Sequence, residues 1–529
     1  MKTYYFKITA GLVAGLSLLL VTACTARFEE YNTHPTEPSP DNMSTASKVG
    51  ALFSPMLYLM HNYQENDNQM IEQMVGNQYG GYMVTTSAWN STNFGTLNPQ
   101  VDWVDDSFDI LFTKFYGNYF KVKETTEGQG PIFAWANIVR VAVMLRVTDT
   151  YGPIPYTKMG GGNMMVGYDD VQTVYHAMID DLNVSVAALT GFDDEDGKAY
   201  AEYDIVYGGK FSKWVKFANS LKLRMAVRIA AVDTDYAKSV MKSAIEGGCI
   251  ESNGDNALLP TTDNPYLKAS ISWTDLAINA TLSSYMLGYS DPRCPVYMTK
   301  TLDNACPYRG VRMGIDAVEE AIHGSETMYS KPNFAANSPL PVFCAAETHF
   351  LKAEAALQGW ITDDPKSLYE SGITISMQQH GVPLGNYLTS TATPADYTAA
   401  DGDSLTKLDH TTFTPVTIKW DDGVGSNLEK IITQKWIANY PIGMEAWSDF
   451  RRTGFPQLLP AQDNLSSDGY IGEINNNPHN PQQPHASRLV RRLPFPQSEY
   501  ERNSANVQAA EALLGGEDKG STDLWWAKK

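Results

Sequence analysis

The chain has 529 residues, 43% of them hydrophobic, with 60 acidic against 40 basic side chains and a formal net charge of −20. A chain this acidic repels the phosphates of nucleic acid, which is not an expected partner, and its charge alone does not draw it to an anionic membrane surface. Its 11 Trp, 29 Tyr and 19 Phe exclude a disordered acidic tail and supply a sizeable core.

Residues 1–23 read as a leader. Lys2 and Lys7 precede an apolar run from Ile8 to Val21, and Val21-Thr22-Ala23 then leads into Cys24. A charged start, a short apolar segment and small residues before the junction make a secretory signal, and the Cys at the junction makes it a lipoprotein signal. The run is shorter than the ~20 residues of a bilayer span and is broken by Gly11 and Gly15. Cys24 is therefore expected to start the mature chain and to carry its lipid, since several acyl chains hold a protein that one alone holds marginally. Residues 24–48, with Pro35, Pro38 and Pro40 among polar neighbours, read as a flexible tether. Residues 49–529 read as a single body.

Beyond the tether, helical pairs recur at a spacing close to the ~34 residues of tetratricopeptide repeats. The first, near 131–190, begins at Pro131 and aligns Ala134, Ile138, Val141 and Leu145 before a stop at Tyr151-Gly152-Pro153. Its partner starts from Asp169 or Asp170 as cap, with Val171, Tyr175, Met178 and Leu182 inward. The second, near 211–248, aligns Trp214, Ala218, Leu221, Met225 and Ile229, with Arg224 and Arg228 on the flank. Asp233 is the expected cap of its partner, which ends at Gly247-Gly248. The third, near 345–381, is Ala-rich, and Pro365 opens its second helix after Asp363 and Asp364. The fourth, near 428–453, carries Leu428, Ile431, Ile432 and Trp436, then turns at Pro441 and Gly443. Such pairs bury their apolar faces only by stacking. The expected fold is mainly α: a tetratricopeptide-like helical-hairpin solenoid of about four pairs, with loop-rich insertions forming an irregular second lobe. The insertions are 50–130, 249–340 and 382–427, with a tail from Phe455.

Long loops on a rigid scaffold are where binding usually lives. A sugar presents an apolar face of C–H groups and a rim of hydroxyls, so its site needs an aromatic platform with amides or charges beside it. The first insertion offers Tyr79, Tyr82, Trp89, Asn90 and Asn93; the second offers Trp273, Tyr285, Tyr308, Arg309 and Tyr329. The candidate ligand-binding set is Tyr82, Trp89, Asn93, Trp273, Tyr308 and Tyr329, with at least one of Tyr82, Trp89 and Trp273 stacking on ligand. Each of these aromatics taken singly also fits loop packing.

No Gly-x-Ser-x-Gly elbow, phosphate loop or His-Glu-x-x-His helix is present, so no catalytic residue is assigned. A carboxylate pair of glycosidase type is defined by separation in space, which leaves a surface glycan-degrading enzyme as an alternative, beside an adhesin for host or matrix protein. His479 and His485 sit in an Asn- and Pro-rich loop and read as surface polar residues. The acidic run 193–197 reads as a solvated loop, since it lacks the alternating ligand spacing of a calcium site; calcium there stays an open alternative, and no other metal or cofactor is expected. Cys249, Cys294, Cys306 and Cys344 are read as buried thiols, although an exported chain could close Cys294 on Cys306.

Six segments resemble the SusD/RagB family: 146–156 (RVTDTYGPIPY), 213–224 (KWVKFANSLKLR), 434–438 (QKWIA), 445–454 (EAWSDFRRTG), 491–500 (RRLPFPQSEY) and 522–526 (TDLWW). They run from the first helix pair to the last residues. The resemblance implies a non-catalytic outer-membrane lipoprotein lying as a lid over a SusC-like TonB-dependent transporter, with loops that collect a nutrient, typically an oligosaccharide. In Bacteroidetes, acids just after a lipidated Cys resemble a surface-export signal, which Glu29 and Glu30 would supply; they serve tether solubility equally well. The matched motifs themselves read as structural. Trp214, Trp436 and Trp447 fall on helical faces, and Arg451 and Arg452 suit an ion pair at a helix end.

Overall fold

A computed structural model describes residues 45–89, 92–163, 165–192, 194–315, 328–401, 403, 406, 414–466 and 490–528. The leader, Cys24, Glu29, Glu30, Asn90, Asp193, His479 and His485 lie outside them.

The periodic segments become helices at the positions their caps and breakers dictate. Helix α1 (Val101–Thr125) buries Val104, Phe108, Leu111, Phe115, Tyr119 and Val122, a stripe at steps of three and four, against helix α2 (Gly130–Tyr151). Pro131 sits in the first turn of α2, and Gly152 ends it with a φ of +94°. A Cβ at Gly152 would lie 2.9 Å from Leu524, so the glycine both turns the chain and seats its C-terminal end. By length and composition α2 would cross a membrane, yet it is a mostly buried core helix. Asp170 caps α3 (Val171–Thr190), accepting from the Thr173 amide at 2.9 Å. Helices α4 (Phe211–Ile229) and α5 (Thr234–Glu246) form the second pair, and α6 (Ala345–Leu357) and α7 (Pro365–Gln379) the third, with Asp364 capping α7 through the Ser367 amide. Each of α1 to α4 packs on the next, while α6 packs on α4 and α7 and on α8 (Asn427–Ala438).

Three expectations change. Asp233 stands at the cap position of α5 without capping it, because its carboxylate faces His176 Nε2 at 2.9 Å. The fourth pair opens out: α9 (Gly443–Thr453) packs chiefly on the helical segment Gln69–Asn77. That approach is close enough for a Cβ at Gly443 to fall 2.3 Å from the Asn77 nitrogen. The first insertion is also largely helical, through Phe53–Leu57, Glu65–Asn77 and α1, and the tail contains a further helix, α10 (Ser504–Leu514).

Two short antiparallel ribbons tie insertion segments to one another. Strand β1 (Met83–Thr85) pairs with β3 (Leu276–Ile278), placing Thr85 opposite Leu276. Strand β2 (Ala257–Leu259) pairs with β4 (Leu340–Phe343).

Buried charge ties the helices together. Arg224 on α4 makes two 2.7 Å bonds to Glu347 on α6, and Arg228 bridges Asp149 on α2 and Glu445 on α9. Lys435 on α8 meets Asp449 on α9 at 2.8 Å, and Arg452 on α9 pairs with Glu354 on α6. Burial alone would raise Glu445, but Arg224 and Arg228 outweigh it and hold its carboxyl below the usual range. Arg451 departs from the ion-pair expectation: it donates to the carbonyls of Asp149 and Arg491 and lies between Trp447 and Trp526, 3.7 and 4.8 Å from their ring centres. Trp214, Trp436 and Trp447 are fully buried. Cys249, Cys294, Cys306 and Cys344 are free thiols, and burial pushes Cys249 and Cys344 up to about 12.

Candidate functional site

The β1–β3 ribbon decides which insertion residues meet. Because it is antiparallel, the chain leaving Thr85 and the chain entering Leu276 lie at one end, and the Thr86 amide extends the pairing by donating to the Asp275 carbonyl at 2.8 Å. Trp89 follows on one side of that end and Trp273 precedes it on the other. Both are half-buried. Trp89 turns back through paired backbone bonds with Thr92 and sets its ring edge-to-face with Trp103, 5.3 Å between centres. Trp273 carries the Lys268 ammonium 5.5 Å from its ring centre, and Ile271 beside it is 45% exposed. Lys268 in turn pairs with Glu65 at 2.5 Å.

Other candidates are placed elsewhere. Tyr82 is fully buried, stacked on Trp436 with 5.4 Å between centres and donating its hydroxyl to the Trp436 carbonyl, so no face is open to a ligand. Asn93 is spent on the chain: its Nδ2 donates to the Ser87 carbonyl at 2.7 Å and its Oδ1 accepts from the Gly95 amide at 2.6 Å. Tyr329 is fully buried and donates its hydroxyl to Asp403. Tyr79 and Tyr285 are likewise internal, bonded to the carbonyls of Phe94 and Gln457 at 3.1 Å. Tyr308 remains half-buried, in a turn closed by Arg309 on Asp303 at 2.7 Å. That turn joins the Ile278 end of β3, since Ser330 receives Ile278 and donates to Arg309.

Trp103 was not among the candidates, although it falls one step off the buried stripe of α1, where a large aromatic ring must reach the surface. Asp106, one turn further on, is pushed up to about 6 by burial and by Asp105, Asp109, Asp67 and Asp102. Among the described residues no group of three or more His, Cys, Asp or Glu could hold a metal ion. The acidic loop after α3 is engaged locally: Asp194 accepts from the amide and hydroxyl of Ser212, and Glu195 pairs with Lys198. Chemically, the ribbon end offers flat apolar faces, a cation and exposed serine, a surface that can hold a ligand.

Known proteins share this architecture. The SusD-like family model, described as Susd and RagB outer membrane lipoproteins, matches residues 30–527. A SusD-like protein of Bacteroides thetaiotaomicron is 38% identical, with 91% of this chain and 99% of that one covered and a TM-score of 0.82. A SusD homologue of Bacteroides uniformis is 35% identical over the same shares, with a TM-score of 0.81. A chitin-binding SusD homologue of Flavobacterium johnsoniae is 33% identical, again over 91% and 99%, with a TM-score of 0.82. No curated protein matches significantly. The match over nearly the whole chain, and the tetratricopeptide-like helices that carry it, establish that this protein belongs to the SusD-like family of outer membrane lipoproteins.

Proposed function

We propose that this chain is a non-catalytic nutrient-capture protein, held on the cell surface by lipid on Cys24, which binds an oligosaccharide and passes it to a SusC-like TonB-dependent transporter that it covers as a lid. The observation that carries this reading is that the half-buried Trp89 and Trp273 flank, in sequence, the same Thr85–Leu276 end of the β1–β3 ribbon in a SusD-like chain. Their half-exposed rings, with Trp103, suit the C–H face of a sugar, and Ser272 and Lys268 beside them suit its hydroxyls. The chitin-binding relative makes N-acetylglucosamine oligomers the first ligands to try. Binding free energy is the whole mechanism: capture raises ligand concentration above the channel, and the tether keeps the body near the channel while it swings.

Titration of residues 25–529 with a glycan panel headed by chitotetraose tests the capture. Saturable binding without release of reducing ends is expected, whereas released ends would make the protein a glycosidase. Extraction in mild detergent tests the lid. A large outer-membrane barrel should co-purify, and its absence would remove the transporter from the account.

A further inference from the structure

A cavity of about 260 Å³ lies where the second insertion meets the end of α7 and the α8–α9 turn. Leu258 and Pro341 of the β2–β4 ribbon, with Val296, Phe334 and Pro441, make most of its wall apolar. Among the described residues no Lys, Arg, Asp or Glu lines it. An uncharged wall gives an ionic ligand no partner, so the cavity selects a neutral one. Its size, just below the ~300–1,000 Å³ of drug-sized sites, suits a single ring.

One side chain gives the cavity its polarity. His380 directly follows α7, and its Nε2 lies 3.0 Å from the Tyr297 hydroxyl. That hydroxyl also meets the Ile437 carbonyl at 3.0 Å, in the last turn of α8, where a helix carbonyl has no internal donor. A phenol has a single proton to donate. It goes to Ile437, so Tyr297 accepts from His380 and the imidazole proton sits on Nε2. Burial and the nearby Arg293 push the His380 imidazole down to about 4, so at neutral pH its Nδ1 is a bare acceptor. Among the described residues Nδ1 has no hydrogen-bond partner, and it keeps solvent access. The other polar side chains of the wall are committed to the chain: Gln379 to Asn256 and Cys344, Asn333 to the Pro295 carbonyl at 3.0 Å, and Ser338 to the Ala335 amide at 2.9 Å.

A ligand for this cavity therefore needs an apolar body and one donor aimed at Nδ1. An acetamido group supplies both, since its methyl packs on carbon and its N–H donates. A plain pyranose brings a rim of hydroxyls against walls that leave them unpaired, and a deacetylated amino sugar brings an ammonium that no carboxylate meets. We infer that this cavity is an acetamido-reading subsite, in which the N–H of an N-acetylated amino sugar donates to His380 Nδ1 while its methyl packs on Val296 and Phe334. The inference rests on the saccharide-capture reading, adds which sugar is selected, and shares no residue with the Trp89 and Trp273 end.

Crystals of the protein soaked separately in N,N′-diacetylchitobiose, in its deacetylated form and in cellobiose read the cavity directly. A ring in the first soak alone is expected, with its acetamido nitrogen within hydrogen-bond distance of His380 Nδ1. Water alone under diacetylchitobiose, or cellobiose seated equally well, overturns the subsite; sugar at Trp89 or Trp273 in the same crystals leaves the capture reading standing. In solution, calorimetry with diacetylchitobiose on a Trp89→Ala/Trp273→Ala background isolates the cavity. His380→Phe keeps a ring and removes the acceptor, and Val296→Trp fills the cavity from a half-buried position. Each should weaken binding about tenfold, with folding verified by thermal melting. Unchanged affinity in both folded variants would also overturn the subsite, as would an N-acetylated dipeptide that binds there as tightly as the sugar.

Discussion

The helical spine and the insertion lobe use the same aromatic and charged residue types for opposite ends. In the spine, Arg224, Arg228, Lys435 and Arg452 are buried against Glu347, Asp149, Glu445, Asp449 and Glu354, linking α2, α4, α6, α8 and α9. In the lobe, Glu65 and Lys268 pair while both are part-exposed, and Trp89, Trp273 and Tyr308 keep part of their rings in solvent. The spine is specified by mutual satisfaction of buried groups, so its motifs recur as whole segments. The lobe leaves a few side chains uncommitted, and those can take a ligand.

The comparison breaks most visibly at Arg228. Arg228→Ala leaves Asp149 and Glu445 buried without their partner and is expected to cost ~3–5 kcal/mol in denaturant unfolding. Ligand affinity, measured where the variant is folded, should not change. Tyr82 sharpens it from the lobe side. If Tyr82 is core, Tyr82→Ala costs ~3–5 kcal/mol and Tyr82→Phe only ~0.5–1.5 kcal/mol, the share of its hydroxyl bond to Trp436. A stable Tyr82→Ala protein that no longer binds glycan would return Tyr82 to the site.

The smallest effect concerns Asp106. Its carboxyl titrates near 6 in the fold and near 3.8 when unfolded, so between those values the folded state holds the extra proton and stability falls as pH rises. Asp106→Asn should therefore raise the melting temperature above pH 6 and leave it unchanged below pH 4. Because Asp106 is only half-buried, the gain should be modest and should shrink in salt.

Most of the helical spine was legible because its signals are local. Pro131, Asp170, Gly152, Asp364 and Pro365 bound helices within a residue or two of the positions they indicate. Asp233 failed as a cap because a nonlocal partner, His176, outcompetes the α5 backbone for its carboxylate. Helix α1 was missed although its apolar residues keep helical steps, because acids and lysines interleave them in a segment that otherwise reads as loop. In the lobe, composition shows many aromatics but cannot say which rings build the lobe's own interior. Tyr79, Tyr82, Tyr285 and Tyr329 went inward to fill it, and the pairing of β1 with β3, some 190 residues apart, brought the chain leading to Trp89 and the chain following Trp273 to one end of the ribbon. Such a pairing leaves no mark in either segment alone.

The division between the two regions is tested most directly by calorimetric titration of chitotetraose, or of whichever panel glycan binds, into wild type and Trp89→Ala/Trp273→Ala, with melting curves alongside. The account predicts at least about a tenfold loss of affinity at an unchanged melting temperature. Equal affinity in a folded double variant would contradict it.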